Sequence, residues 1–145
     1  MKNKLFLLIG VILVLSLGLT SCDDKSSSKG PNLTAFALLT NSDAKSMNWN
    51  PQNSFPKGSY LGFAVSFEPA ETPVKGCYIS FKQNNTQVIY LDATFDTTYN
   101  KPTNLYIPTK EAVPLEPGNY SVECYVIDTD GIKSGTKKQN LTITN

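Results

Sequence analysis

The sequence predicts an all-β fold, a single β-sandwich of about seven short strands. Three observations carry that expectation. Segments rich in Val, Ile, Tyr, Phe and Thr recur along the chain, and Gly, Pro, Asn and Asp fall between them. No stripe of apolar residues keeps the roughly 3.6-residue period of an amphipathic helix. The third is size: about 115 residues follow the polar stretch that ends at Pro31, enough for one core, so residues 32–145 are assigned to one domain.

Asn32 to Leu39 is predicted as the first strand, followed by a loop through Trp49, Asn50 and Pro51. Ser59 to Phe67 is the clearest strand, because Leu61, Phe63, Val65 and Phe67 fall on one face of an alternating run, the period of a half-buried strand. Lys75 to Lys82 is the third, with Cys77, Ile79 and Phe81 inward and Tyr78, Ser80 and Lys82 outward. Gln83 to Gln87 then turns the chain into a fourth strand, Val88 to Thr94, whose inner face is Ile89, Leu91 and Ala93. Asn104 to Ile107 is a short fifth strand before a looping Pro108 to Pro114 stretch. Tyr120 to Ile127 is the sixth, alternating Tyr120, Val122, Cys124 and Val126 against Ser121, Glu123, Tyr125 and Ile127. A turn at Asp128-Thr129-Asp130-Gly131 leads to the last strand, which ends Leu141-Thr142-Ile143.

The run Leu115-Glu116-Pro117-Gly118-Asn119-Tyr120-Ser121-Val122, then Val126-Ile127-Asp128 and Gly131 to Ser134, resembles the closing half of bacterial immunoglobulin-like and fibronectin type III-like domains. Phe55-Pro56-Lys57-Gly58, leading into the second strand, fits the same pattern. The resemblance implies an antiparallel immunoglobulin-like sandwich and a tyrosine corner at Tyr120, its ring filling the end of the core and its hydroxyl bonded to nearby backbone. It also makes the third and sixth strands neighbours in one sheet. In antibody-type domains the disulfide joins the second and sixth strands, whereas here Cys77 lies on the third.

The beginning of the chain has an export grammar. Lys2 and Lys4 form a basic region, and an apolar run from Leu5 to Leu19 is relieved only by Gly10, Ser16 and Gly18. It closes with Leu19-Thr20-Ser21-Cys22, which resembles the lipobox of bacterial lipoproteins. That resemblance implies a signal peptide over residues 1–21, cleavage after Ser21, and lipidation of Cys22 as the new N-terminus, with localisation to the bacterial cell envelope. Two or more acyl chains hold where one anchors only marginally, since each buried methylene contributes about 0.8 kcal/mol. The apolar run, about fifteen residues, is shorter than the roughly 20 that a spanning helix needs. Residues 22–31 then read as a lipidated Cys and a polar, low-complexity tether. Asp23 suits inner-membrane retention as in enteric-type bacteria, whereas acidic residues here resemble the surface-export signals of Bacteroidetes-type proteins.

With Cys22 given to lipid, Cys77 and Cys124 are the one intramolecular pair left in an oxidising compartment. Both occupy apolar parity, so a cross-strand disulfide contributing about 2 to 4 kcal/mol is one reading. Two separate buried thiols acting as small hydrophobes is the other.

Composition narrows function. All thirteen basic residues are Lys, and His is absent. Phosphate and nucleic-acid recognition lean on Arg forks and a basic face, so no nucleic-acid partner is expected. Without His the common general base, zinc ligand and partner of a Ser nucleophile are missing, and Glu68 and Glu71 read as solvated loop charges; no enzyme, cofactor or metal is expected. Asp128-Thr129-Asp130-Gly131 begins like a calcium loop but lacks the further ligands, and reads as a hairpin turn. Asp96-Thr97-Thr98 resembles a short O-glycosylation motif of Bacteroidetes-type proteins.

What remains is recognition. Outward parity on the third, fourth and sixth strands places Tyr78, Tyr90 and Tyr125 on one face, where amphipathic rings suit a protein or glycan partner. The competing reading is that cross-strand aromatic pairs merely stabilise a sheet. The expected function is a lipid-anchored, non-enzymatic envelope domain that binds or spaces a protein or glycan. The alternative is an accessory carbohydrate-binding module or an inhibitor of an extracellular enzyme acting through end loops.

Overall fold

A computed structural model of the chain describes residues 29–145. The expected signal peptide, Cys22 and the expected tether up to residue 28 lie outside the described residues. Eight strands and one short helix follow: β1 (Asn32–Thr40), α1 (Asn41–Lys45), β2 (Ser54–Pro56), β3 (Leu61–Glu68), β4 (Val74–Gln83), β5 (Thr86–Tyr99), β6 (Thr103–Pro108), β7 (Gly118–Asp128) and β8 (Lys137–Thr144). They form a three-stranded sheet in the order β1-β3-β6 and a five-stranded sheet in the order β2-β8-β7-β4-β5. The chain is therefore a β-sandwich. All seven expected strands are present, and β4 and β7 are neighbours as the immunoglobulin-like pattern implies.

Two details correct the expectation. The loop near Asn50 hides β2, an eighth strand that runs parallel to β8, so the sandwich is not wholly antiparallel. It is only three residues long, too short for alternation to show, and its place is set by Phe55, which is buried while Ser54 and Pro56 are exposed. The second correction concerns β3, expected to be half-buried. Ala64 and Gly62 are buried as well as the large residues, because α1 covers the outer face of the small sheet. A Cβ at Gly62 would stand 2.4 Å from that of Ala44 on α1, so glycine is what lets the helix lie so close. Thr40 starts the helix: its hydroxyl accepts from Asp43 N at 3.0 Å, satisfying one of the amides a helix start leaves unpaired.

The core lies between the sheets. Phe63 on β3 sits at its centre, stacked on Phe36 of β1 and meeting Phe81 of β4 edge-on across the sandwich, each at 6.3 Å between ring centroids. Each such ring contributes about 1.5–3 kcal/mol by leaving water. The fourth strand runs past its expected end at Thr94 because Phe95 and Tyr99 continue the inward parity, reaching Phe67 at 6.2 and 5.9 Å. Tyr120 closes the opposite end. Its ring is buried, and its hydroxyl donates to the Glu116 carbonyl at 2.7 Å, the tyrosine corner expected there.

Closure is uneven between the two flanks. On one side Gln139 of β8 donates to the Phe36 carbonyl of β1 at 3.0 Å, tying the sheets together. On the other, the edge strands β5 and β6 stand apart over an apolar groove of about 400 Å³ whose floor includes Phe63 and Ile79. Ile89, Leu91, Ala93 and Ile107 on that flank are only partly buried.

Candidate functional site: a tyrosine ladder on the five-stranded sheet

The outer face of the large sheet is built by the register of β5, β4 and β7. Tyr78 of β4 stands directly opposite Tyr125 of β7, and Ser80 opposite Tyr90 of β5, so Tyr90 is the diagonal neighbour of Tyr78. Inward neighbours Cys77, Ile79, Cys124 and Val126 are fully buried, which fixes the tyrosines on the solvent side. The three residues singled out from the sequence are thus brought together. Tyr78 stacks on Tyr125 at 5.2 Å with planes 13° apart, and on Tyr90 at 5.3 Å with planes 12° apart.

At these separations each ring covers part of its neighbour's face. The result is a ladder with ring edges and hydroxyls toward solvent, not a flat stacking floor. Lys133 caps one end, its ammonium 4.7 Å from the centre of the Tyr125 ring. The other end is open, because β5 is the last strand of the sheet and Tyr90 is 56% exposed. Tyr90 therefore offers a ring face to a ligand. Burial against its neighbours pushes the Tyr78 phenol above its ordinary value, with the adjoining Tyr90, Tyr125 and Asp92 adding to the rise, so the middle of the ladder stays uncharged.

A charged row runs beside the rings. Glu123 on β7 receives Lys82 of β4 at 2.6 Å and Lys138 of β8 at 2.8 Å. Those two hydrogen bonds hold its carboxyl below the ordinary carboxylate value. Parity alone puts Glu123 and Lys82 outward, but their pairing and the capping Lys133 depend on register and on the β7–β8 connection, which alternation does not encode.

Elsewhere the candidate residues have structural duties or lie apart. Cys77 and Cys124 are free thiols in this structure, both buried. Cys77 faces Val126 and Cys124 faces Ile79, so the pair is diagonal. Diagonal partners stand about 7–8 Å apart at Cα, farther than the roughly 4.4–6.8 Å a disulfide usually spans, and no bridge joins the two thiols in this structure. A hydrogen bond with Cys77, reinforced by burial, raises the Cys124 thiol above its ordinary value.

The Asp128 carboxylate is committed to its own turn. It accepts from Ile132 N at 2.7 Å, Asp130 N at 3.0 Å and the Thr72 hydroxyl at 2.6 Å. The connection is also longer than the tight hairpin the Asp-Gly pair suggested, since β8 starts only at Lys137. Glu68 closes β3 and accepts from Asn32 at 3.3 Å, and Glu71 is exposed in the bend that follows. Asp96, Thr97 and Thr98 are exposed on β5, away from the ladder's row. Among the described residues, no three or more His, Cys, Asp or Glu gather as a metal site would require, and no helix is long and apolar enough to cross a membrane.

The chain matches no protein-family model and no curated protein. Solved structures do share its architecture. A Niemann-Pick type C2 protein from the Japanese carpenter ant is similar over 82% of this chain and 96% of its own, with a TM-score of 0.50 and 9% identity. CopC from Methylosinus trichosporium OB3b matches over 78% and 92%, with a TM-score of 0.41 and 17% identity. A CARDB domain from Pyrococcus furiosus, solved in complex with di-metal ions, matches over 81% and 97%, at 0.42 and 10%. Identities this low speak to the fold alone.

Proposed function

We propose that this chain is a lipid-anchored, non-enzymatic domain of the bacterial envelope whose five-stranded sheet recognises a protein or glycan partner through its outer face. The observation that carries the reading is the ladder: three tyrosines aligned across three strands, capped at one end and open at the other. Stacked rings have lost their rotamer freedom before any partner arrives, so little ordering cost remains on binding. Tyrosine also joins an apolar body to a polar tip, which suits a surface that must be wet when free and dry when bound. Attachment rests on the lipobox-like Leu19-Thr20-Ser21-Cys22, and the polar residues after Cys22 supply the reach between membrane and domain.

The test is retention of envelope material on the immobilised full chain, with protein and polysaccharide fractions presented separately. Tyr90→Ala is expected to weaken retention by about thirty-fold, the cost of removing an aromatic hot spot of about 2 kcal/mol. Tyr78→Ala should weaken it by removing the support under Tyr90. If Tyr78→Ala, Tyr90→Ala and Tyr125→Ala all retain the partner as well as the unaltered chain, the reading fails.

A further inference from the structure

Next to the ladder, on the same sheet, lies an open basin of about 530 Å³ that the sequence reading did not single out. Its rim carries five asparagines, Asn53, Asn84, Asn85, Asn119 and Asn140, with the hydroxyls of Ser121 and Thr142 among them. We propose that this basin is a binding site for a neutral glycan, its hydroxyls hydrogen-bonded by the amides and one sugar reaching the exposed edge and hydroxyl of Tyr90. The proposal rests on the tyrosine-face reading and narrows it to one ligand class.

Amide chemistry points to hydroxyl groups. A carboxamide offers two donors and an acceptor, and a sugar hydroxyl both donates and accepts, so each amide can meet a hydroxyl in either sense. Charge points to a neutral ligand. Among the described residues no carboxylate lines the basin, and the one cation that does, Lys82, is already held by Glu123 at 2.6 Å. A phosphate or acidic polymer would need a cation free to answer it.

The amides stand on rigid supports. Asn84 and Asn85 are the two residues of the β4–β5 hairpin, at φ 50° and 62°, the left-handed pair of a tight turn whose twist matches the strands it joins. Asn140 is paired opposite Ser121 in the middle of β8, and Asn119 accepts from the Thr142 hydroxyl at 2.9 Å. Distance favours one continuous ligand. Lys82, at the basin's edge, is two residues along β4 from Ser80, the partner of Tyr90, a step of about 7 Å. A short oligosaccharide spans both, and a volume of this order is within the range of small-molecule clefts, about 300–1,000 Å³.

Calorimetric titration of the full chain with neutral gluco-, manno-, galacto- and xylo-configured hexasaccharides, and with oligogalacturonate as the charged counterpart, tests the inference. The chain is expected to bind at least one neutral hexasaccharide and to leave oligogalacturonate unbound. The double variant Asn85→Gly, Asn140→Ala removes two amides, and glycine tolerates the turn's positive φ, so melting temperature should hold while glycan affinity falls about tenfold or more. Tyr90→Ala should weaken the same glycan. If the double variant binds the glycan as tightly as the parent while Tyr90→Ala does not, the basin is refuted and the ladder stands. If no neutral glycan binds, or only the acidic oligomer does, the inference is overturned; envelope protein retained in a Tyr90-dependent way would then still uphold the ladder.

Discussion

At the scale of single residues, the outer face of the large sheet depends on one carboxylate. Glu123 is only 15% exposed at its side chain and sits between two ammonium groups, so its ionised form is favoured by the folded state. A group whose carboxyl is held below its ordinary value of 4.5 contributes stability above that pH, and the contribution is lost as pH falls through the lowered value. Denaturant unfolding of the parent and of Glu123→Gln should therefore differ by about 1 kcal/mol near neutrality. The difference should shrink toward zero as the pH drops below the ordinary carboxylate range. A gap that stays constant with pH would show that the two lysines do not act on the charge. Tyr78 behaves in the opposite sense. Its raised phenol costs nothing below its ordinary value of 10.0, and strong alkali weakens the fold as the unfolded chain ionises first.

Within the strands, parity is legible in the sequence and register is not. The parity of β4 and β7 was legible because large apolar residues occupy every second position against a covered inner face. β2 and α1 were not, being three and five residues long and placed by partners distant in sequence. The same limit applies to the cysteines: parity puts both inward, but only register reveals that they are diagonal. Directly opposed residues in an antiparallel pair stand about 4.5–5.5 Å apart at Cα, inside the range a disulfide takes. Moving the second thiol to the position facing Cys77, with Cys124→Val and Val126→Cys together, should thus let the pair bridge under mild oxidation more readily than the parent does. Counting free thiols after denaturation reads the result. Equal rates of bridging in the two chains would mean that the strands slide easily enough for register not to matter.

For the molecule as a whole, the sandwich, the tyrosine corner and the three aligned tyrosines were legible in the sequence. The basin was not, since five asparagines scattered from Asn53 to Asn140 meet only when β8, β7 and the β4–β5 turn are brought together. Attachment is tested at this scale too. The full chain should partition into the detergent phase and carry acyl mass by mass spectrometry, whereas Cys22→Ser should lose both, and a Cys22→Ser chain that still bears acyl mass would refute the anchor. The proposed anchoring would give β5 a significance beyond its place beside the ladder. Among the described residues this strand leaves a free edge fourteen residues long, with neither Lys nor Pro to guard its unpaired amides and carbonyls. Two copies pairing antiparallel about Thr94 would set Asp92 of each against Asp96 of the other, like charge facing like charge. Molecules confined to a plane collide far more often than molecules dispersed in a volume. On the membrane that the proposed anchor implies, Asp92 and Asp96 would oppose that pairing between crowded neighbours.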